Sequence, residues 1–247
     1  MIKDVGKKLR ELFGSVSVAY TPETHPNTVD ILQTRGYSTL KANQTVVGCY
    51  QTALTQASLS GADNIFYCDL DRALHWVKTY PDELRTLAES SIQEDFIHLG
   101  RTSRAFNTHP ETQTVTESIG NRVASRVIGL TETRDILGTT WIITPALAKL
   151  VLEIVPSNRY GFFIEWPLTL WRSARNPNYI EVEGLEWETP DRYKEEIKAE
   201  GLEHWMKRFQ TTSECRQRSV MLRDFIDSAL NKKYQESKSG YSDRHRK

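Results

Sequence analysis

The chain has 247 residues, 38% of them hydrophobic, enough for one large α/β domain or one domain with a small appendage. Lys plus Arg and Asp plus Glu both number 32, so no overall basic field points to a nucleic-acid partner. The three cysteines, Cys49, Cys68 and Cys215, lack zinc-ligand spacing; Cys49 and Cys68 lie in apolar segments and read as core thiols of a reducing, cytoplasmic protein.

The first element, MIKDVGKKLRELFG, is charged and amphipathic, without the apolar core and cleavage site of a signal peptide. No window reaches the ~20 apolar residues of a membrane span, so at most peripheral membrane contact is expected. VSVAY (16–20) reads as a strand. HPNTVDILQTRGY reads as a helix that starts near Pro26 and stops at Gly36, and YSTLKA as a short strand. Val47 to Ser60 is a second helix closed by Gly61, and NIFYC is a buried strand rich in aromatics. Pro81, Asp82 and Glu83 place a proline and two acids in the first turn of the next helix.

DFIHLG is a further strand. The polar stretch GRTSRAFNTHPETQTVTES reads as a long loop, and long loops without structure of their own are often functional. Val115, Ile119, Val123 and Val127 recur at intervals of four and mark one helix face. TTWIIT is a strand, and Pro145 opens the helix PALAKLVLEIV. YGFFIEWPLTLWRSA and NYIEVEGLEW complete the apolar elements. Alternating strands and helices predict an α/β fold with a mostly parallel central sheet flanked by helices. The core domain is expected over 15–190. A C-terminal helical extension follows over 191–234, and the apolar-poor tail 235–247 is expected to be disordered.

Ligands in such sheets sit at the carboxyl ends of strands. There the chain reads Asp69-Leu70-Asp71-Arg72. If the backbone stays extended, Asp69 and Asp71 share a face, and two carboxylates that close call for a cation between them. A hard divalent ion, Mn²⁺ or Mg²⁺, suits oxygen ligands and bridges to phosphate, and Arg72 adds a fork for a phosphate oxygen. The plainer reading is a solvated turn with Asp as a cap. Arg101, Arg104 and His109 gather in the loop after a strand and are candidates to face phosphates or a sugar. Trp76 reads either as a stacking platform or as core. Glu186, Glu188, Asp191 and Arg192 either complete a metal site or form a solvated helix start at Thr189-Pro190.

With these residues in view, GCYQTALTQASLSGADNIFYCDLD resembles the nucleotide-sugar half of GT-A glycosyltransferases. The likeness is to family-two members, including dolichyl-phosphate mannose synthase-like enzymes, in which a helix leads through Gly-Ala-Asp to a hydrophobic strand and a D-x-D motif. NRVASRVIGL…RDILGTTWIIT is similar to a later family segment, with Asp135 and Gly138 in matching places. RYGFFIEWPLTLWRSARNPNYIEVEGLEWE is similar to another and puts Glu165 on the acceptor side. The likeness covers about residues 15–190. Where the family carries P-x-Y-N-E after its first strand, this chain reads AYTPETHP, with Tyr20, Thr21 and Glu23 in that neighbourhood.

The resemblance implies a GT-A fold and transfer of a sugar from a nucleoside diphosphate sugar to an unknown acceptor. Asp69 and Asp71 would hold the metal, Tyr20, Thr21, Asp69, Arg72, Arg101, Arg104 and His109 the donor, and Glu165 or Asp135 would act on the acceptor. For Glu165 the alternative is a helix N-terminal acid, and for Asp135 a loop cap or an arginine ion pair. Two other functions compete. A phosphatase of the haloacid dehalogenase type uses D-x-D with the first Asp as nucleophile and the second as acid/base, though here Ala73 stands at the motif's fifth position. A GT-A-like binding protein without activity is the other.

Overall fold

The computed structural model describes residues 2–90 and 93–231; the tail 235–247, expected to be disordered, lies outside them. The chain is α/β. Its first half alternates α1 (Ile2–Leu12), β1 (Ser17–Tyr20), α2 (Pro26–Thr34), β2 (Ser38–Lys41), α3 (Val46–Ser58) and β3 (Ile65–Tyr67). The punctuation seen in the sequence sets these bounds. His25 caps α2 by accepting from the Asn27 amide, Pro26 opens it, and Gly36 follows it at φ 79°, a left-handed conformation that glycine adopts without Cβ strain.

Next come α4 (Leu70–Thr79), α5 (Pro81–Glu89), β4 (Phe96–Arg101), α6 (Ser103–Phe106) and α7 (Glu111–Ile128). The polar stretch expected to be one long loop is therefore mostly the end of β4, α6 and the start of α7. The Thr102 hydroxyl accepts from the Ala105 amide and caps α6. The helix α4 was not foreseen. Its signal is Leu70, Leu74 and Val77 on one face, with Asp71 in the first turn and Lys78 in the last. Trp76 on α4 is fully buried and packs on Phe66, so it is core and not a stacking platform.

The third part holds β5 (Trp141–Ile143), α8 (Pro145–Leu152), α9 (Phe162–Ser173) and β6 (Pro177–Val182), and ends in α10 (Lys194–Glu200), α11 (Leu202–Met206) and α12 (Thr212–Leu230). β1 and β2 pair in parallel. The larger sheet has the order β3-β5-β4-β6 and is mixed, where a mostly parallel sheet was expected: β5 is antiparallel to both neighbours, and only β4 and β6 pair in parallel. The reason is the return path after α7. The chain comes back at the carboxyl end of β4, where Asp135 accepts from the Arg101 amide, and it enters β5 from that end.

Three apolar clusters hold the elements together. One, around Trp76, Leu84 and Leu99, joins α1, α4 and α5 to one face of the sheet. A second, around Trp141, Trp166 and Phe162, lies under α3, α8 and α9. The third fixes α12 against α7 and α9 through Phe225 and Ala229. The stripe on α7 divides: Val123 and Val127 are partly buried against the third cluster, whereas Val115 and Ile119 are 55% and 43% exposed. Gln113, Thr116, Gly120, Asn121, Ala124 and Ser125 face inward instead. The inner face must approach Leu137 closely, and a Cβ on Gly120 would come within 2.6 Å of it. It must also present Asn121, whose Oδ1 accepts from the amides of Ile136 and Leu137. Among the described residues, no helix is long and apolar enough to cross a membrane.

Gly184 packs directly on Trp76, where an added Cβ would lie 2.0 Å from Cδ1. Gly184→Ala is therefore expected to cost about 1–3 kcal/mol by overpacking a side chain that has no room to move, as a lowered urea midpoint at unchanged slope would show.

Candidate functional site

The strand β3 stops at Tyr67, and the acids lie in the turn that follows. Asp69 is extended (φ −62°, ψ 137°) in the cap position of α4 but makes no capping bond, and Asp71 is already helical. The same-face geometry expected of an extended D-x-D is therefore absent, because α4 begins at Leu70. Each carboxylate has its own arginine instead. Arg72 Nε lies 3.7 Å from Asp69 Oδ2, and Arg192 pairs with Asp71 Oδ2. Tyr50 on α3 stands beside Asp69, and both line the same two cavities. Burial pushes the Asp69 carboxyl up from the usual range, Arg72 pulls it down, and Asp71 pushes it up again, with a net rise.

The segment 183–192 folds back along α4, so charges distant in sequence gather at the acid turn. Arg72 Nε lies 3.9 Å from Glu188 Oε2 as well as near Asp69. His75 bridges Asp191 at 2.6 Å and Glu186 at 3.0 Å, and Lys78 reaches Asp191 at 2.5 Å. Arg104 belongs to this bracing and not to a phosphate site: it pairs with Glu183 and Glu186 and donates to the Tyr80 hydroxyl. Thr189–Arg192 form a single 3-10 turn whose cap is Glu188 rather than Thr189.

Two cavities open beside the turn. The first, of about 620 Å³, runs between β1 and β3 under α3, from Ser15 and Asn64 at one end to Cys68 and Asp69 at the other. β1 and β3 belong to separate sheets, so their facing edges line this space. The second, of about 270 Å³, is more polar. Asp69, Arg72, His109, Glu188 and the amino-terminal part of α7 line it, together with residues of α12 and aromatic rings. Tyr50 and Asp69 line both cavities.

The remaining predicted residues divide. Tyr20 and Thr21 lie at the carboxyl end of β1, next to Ala19 on the first cavity's wall, but line neither cavity themselves. Arg101 and Asp135 form a buried pair: Nε and Nη2 reach the carboxylate at 2.6 and 2.8 Å, and Nη2 also reaches Glu117. Burial pushes the Asp135 carboxyl up, but Arg101 outweighs it and holds it far below the usual range. Asp135 thus sits in the arginine ion pair that was its structural alternative. Glu165, on α9, is fully buried and accepts from the amide and hydroxyl of Ser157. Neither Asp135 nor Glu165 lines either of these two cavities.

His109 does line the second cavity, and it is 3% exposed. Its Nδ1 faces the Ala105 carbonyl at 3.2 Å, which makes Nδ1 the donor and leaves Nε2 with a free lone pair. Burial, then the charges of Arg101 and Arg72, push the imidazole down to about 3. His109 Nε2 and Glu188 Oε2 are both buried without a hydrogen-bond partner. Such atoms normally cost about 1–3 kcal/mol each and need an explanation. Tyr50 was missed as a site residue, and Glu188 was weighed for the metal site rather than for the wall of a second cavity. Tyr50 lies inside an apolar helix, and the Trp187-Glu188-Thr189-Pro190 run looks like an ordinary helix start; only the fold-back of 183–192 brings Glu188 to Arg72.

In comparisons with known proteins, the chain matches no family model, no curated protein and no solved structure.

Asp135→Asn leaves the Arg101 charge buried with a weakened partner and should cost about 3–5 kcal/mol in urea unfolding at neutral pH. A second test uses pH. Burial pushes the Asp191 carboxyl up, but the bonds from Lys78 and His75 outweigh it and hold it at about 2. A depressed carboxyl stabilises the fold above its unfolded pKa near ~3.9 and loses that contribution as pH falls. Asp191→Asn should therefore flatten the loss of stability between about pH 4 and pH 2, measured as urea midpoints across that range.

Proposed function

We propose that the chain is a glycosyltransferase that moves a sugar from a nucleoside diphosphate sugar in the first cavity to an acceptor in the second. The observation that carries this reading is the shared wall. A transferase needs two neighbouring ligand sites, and Tyr50 and Asp69 line both of these cavities. The β1–α2–β2–α3–β3 order, with the acid turn directly after β3, puts that junction at a strand's carboxyl end, where α/β sheets bind their ligands. The sequence likeness to GT-A enzymes spans the same elements, and a GT-A fold is part of this proposal.

Asp69 is the residue that would hold Mn²⁺ or Mg²⁺, and Asp71 would join it only by giving up Arg192. The fit rests on Asp69, which lines both cavities and makes no capping bond to α4. Among the described residues no group of three or more His, Cys, Asp and Glu is placed to hold a metal, so donor phosphates would complete the shell, as is usual for Mg²⁺. Such an ion would offset the charge of the departing diphosphate. Arg72, half-buried beside Asp69, supplies fixed positive charge at the same place.

On the acceptor side Glu188 takes the role that the resemblance gave to Glu165 or Asp135. It lines the second cavity; its Oε2 has no hydrogen-bond partner and stands 3.9 Å from Arg72 Nε, and it is the carboxylate there that would take a proton from an acceptor hydroxyl. The phosphatase alternative asks Asp71 to carry protons, whereas Asp71 is paired with Arg192.

Thermal unfolding with Mn²⁺ and a panel of UDP- and GDP-sugars tests the proposal. One donor is expected to raise Tm only when the metal is present, by the equivalent of about 2.7 kcal/mol at a hundredfold excess over Kd. Asp69→Asn should abolish the shift while leaving the unliganded Tm close to that of the parent. Absence of any metal-dependent donor shift points to a binding protein, and phosphate release from small phosphomonoesters to the phosphatase.

A further inference from the structure

Helix α12 turns one stripe inward, and a charge stands on it. Met221, Phe225 and Ala229 follow at helical spacing and pack toward α7 and α9. Arg218 lies one turn earlier on the same stripe, and it lines the second cavity together with Met221 and Phe225. Arg216 and Arg223 of this helix are exposed, whereas Arg218 is part-buried. Arg218 is also a cation without an anion. Its Nη2 donates to the neutral Oε1 of Gln113 at 3.1 Å, and no carboxylate of the described residues lies within ion-pair distance. Its other nitrogens stay open, because no side-chain nitrogen of Arg218 is both buried and unbonded.

The other charges of this wall are answered from within. Glu117 accepts from Arg101 at 2.5 Å and from Gln113 at 2.9 Å. Arg72 stands between Asp69 and Glu188, at 3.7 and 3.9 Å. The cavity therefore has two unlike regions. Around Arg72 two carboxylates share one guanidinium, and a further anion there would be repelled. At Arg218 a guanidinium meets no carboxylate, and an oxyanion would form charge-assisted, fork-shaped hydrogen bonds with it. A space of about 270 Å³ admits only a small molecule. A ligand matched to both regions carries one acidic group and, away from it, uncharged hydroxyls that can donate to the carboxylates.

We infer that the second cavity binds a small hydroxylated anion, a hydroxy acid or the phosphate monoester of a polyol, whose acidic group pairs with Arg218 and whose hydroxyl lies toward Asp69 and Glu188. As an acceptor assignment this deepens the transfer reading above and rests on it; as a binding site it does not. Arg218 would select the ligand and set its direction in the cavity, with the hydroxyl presented to Glu188.

Calorimetry and saturation-transfer NMR on the full chain, without nucleotide or metal, test the site. The probes are D-glycerate and sn-glycerol 3-phosphate, with glycerol as the uncharged counterpart and propionate as the acid without hydroxyls. At least one of the two hydroxylated anions should bind, and which one does separates a carboxylate from a phosphate. Glycerol and propionate should bind at least about tenfold more weakly. Arg218→Gln should weaken anion binding about tenfold or more. Arg216→Gln, on the exposed face of the same helix, should change nothing. The inference is overturned if neither anion binds, if glycerol or propionate binds as well as they do, or if Arg218→Gln binds as the parent does. Should Arg218→Gln fail to fold, ionic strength decides on the parent: binding that does not weaken between about 0.01 and 1 M NaCl overturns the inference. The Mn²⁺-dependent donor shift, measured on the same samples, is independent: its loss with anion binding intact counts against the donor reading only, and the reverse against this one only.

Discussion

The guanidinium of Arg72 lies between two carboxylates that come from opposite ends of the chain. Asp69 belongs to the turn after β3, and Glu188 to the segment that folds back from β6. Without a positive charge between them, two acids on one cavity wall would repel, and the fold-back would lose a fastening at the point where it closes the second cavity. Arg192 on Asp71, and Asp191 on His75 and Lys78, extend this fastening along α4. The acid turn is thus a structural clasp as well as the candidate reacting centre. A structural ion pair of this kind perturbs carboxyls much as a catalytic one does, so geometry has to separate the two roles.

The geometry that does so is the placement of empty space. Asp135 and Arg101 form a doubly hydrogen-bonded buried pair at the end of β4, and they line neither of the two cavities. They tie the carboxyl end of β4 to the strand-entry loop of β5 and, through Asn121, to α7. Glu165 likewise secures the 157 loop to α9. His109 and Glu188 are the reverse: each lines the second cavity and keeps one buried atom without a hydrogen-bond partner, although Glu188 Oε2 stands 3.9 Å from Arg72 Nε. A buried polar atom left without a hydrogen bond is costly.

Much of the fold was legible in the sequence because its signals are local. Pro26, Gly36, Pro81 and Pro145 fix where helices start and stop through backbone φ and missing amides, and the apolar runs 65–67, 96–101 and 141–143 become strands. The apolar stripe of α7 is covered only over Val123 and Val127, because periodicity reports an apolar face but not how much of it the fold covers. Small and polar residues were needed where α7 meets Leu137 and Asp135, so Val115 and Ile119 turned outward. The direction of β5 was equally hidden, since it depends on the end of the sheet at which the chain returns.

For the site, the sequence by itself determined that a buried aromatic strand delivers two aspartates and an arginine to a turn, because hydrophobicity and turn chemistry act over a few residues. Which acids face a ligand was decided only by the tertiary structure. Asp71, Asp135 and Glu165 were drawn into partnerships with Arg192, Arg101 and Ser157, while Asp69, His109 and Glu188 were left on cavity walls. Those outcomes depend on side chains brought together from distant segments, and an ion pair or an orphaned nitrogen exists only once burial has removed the water that would otherwise satisfy it.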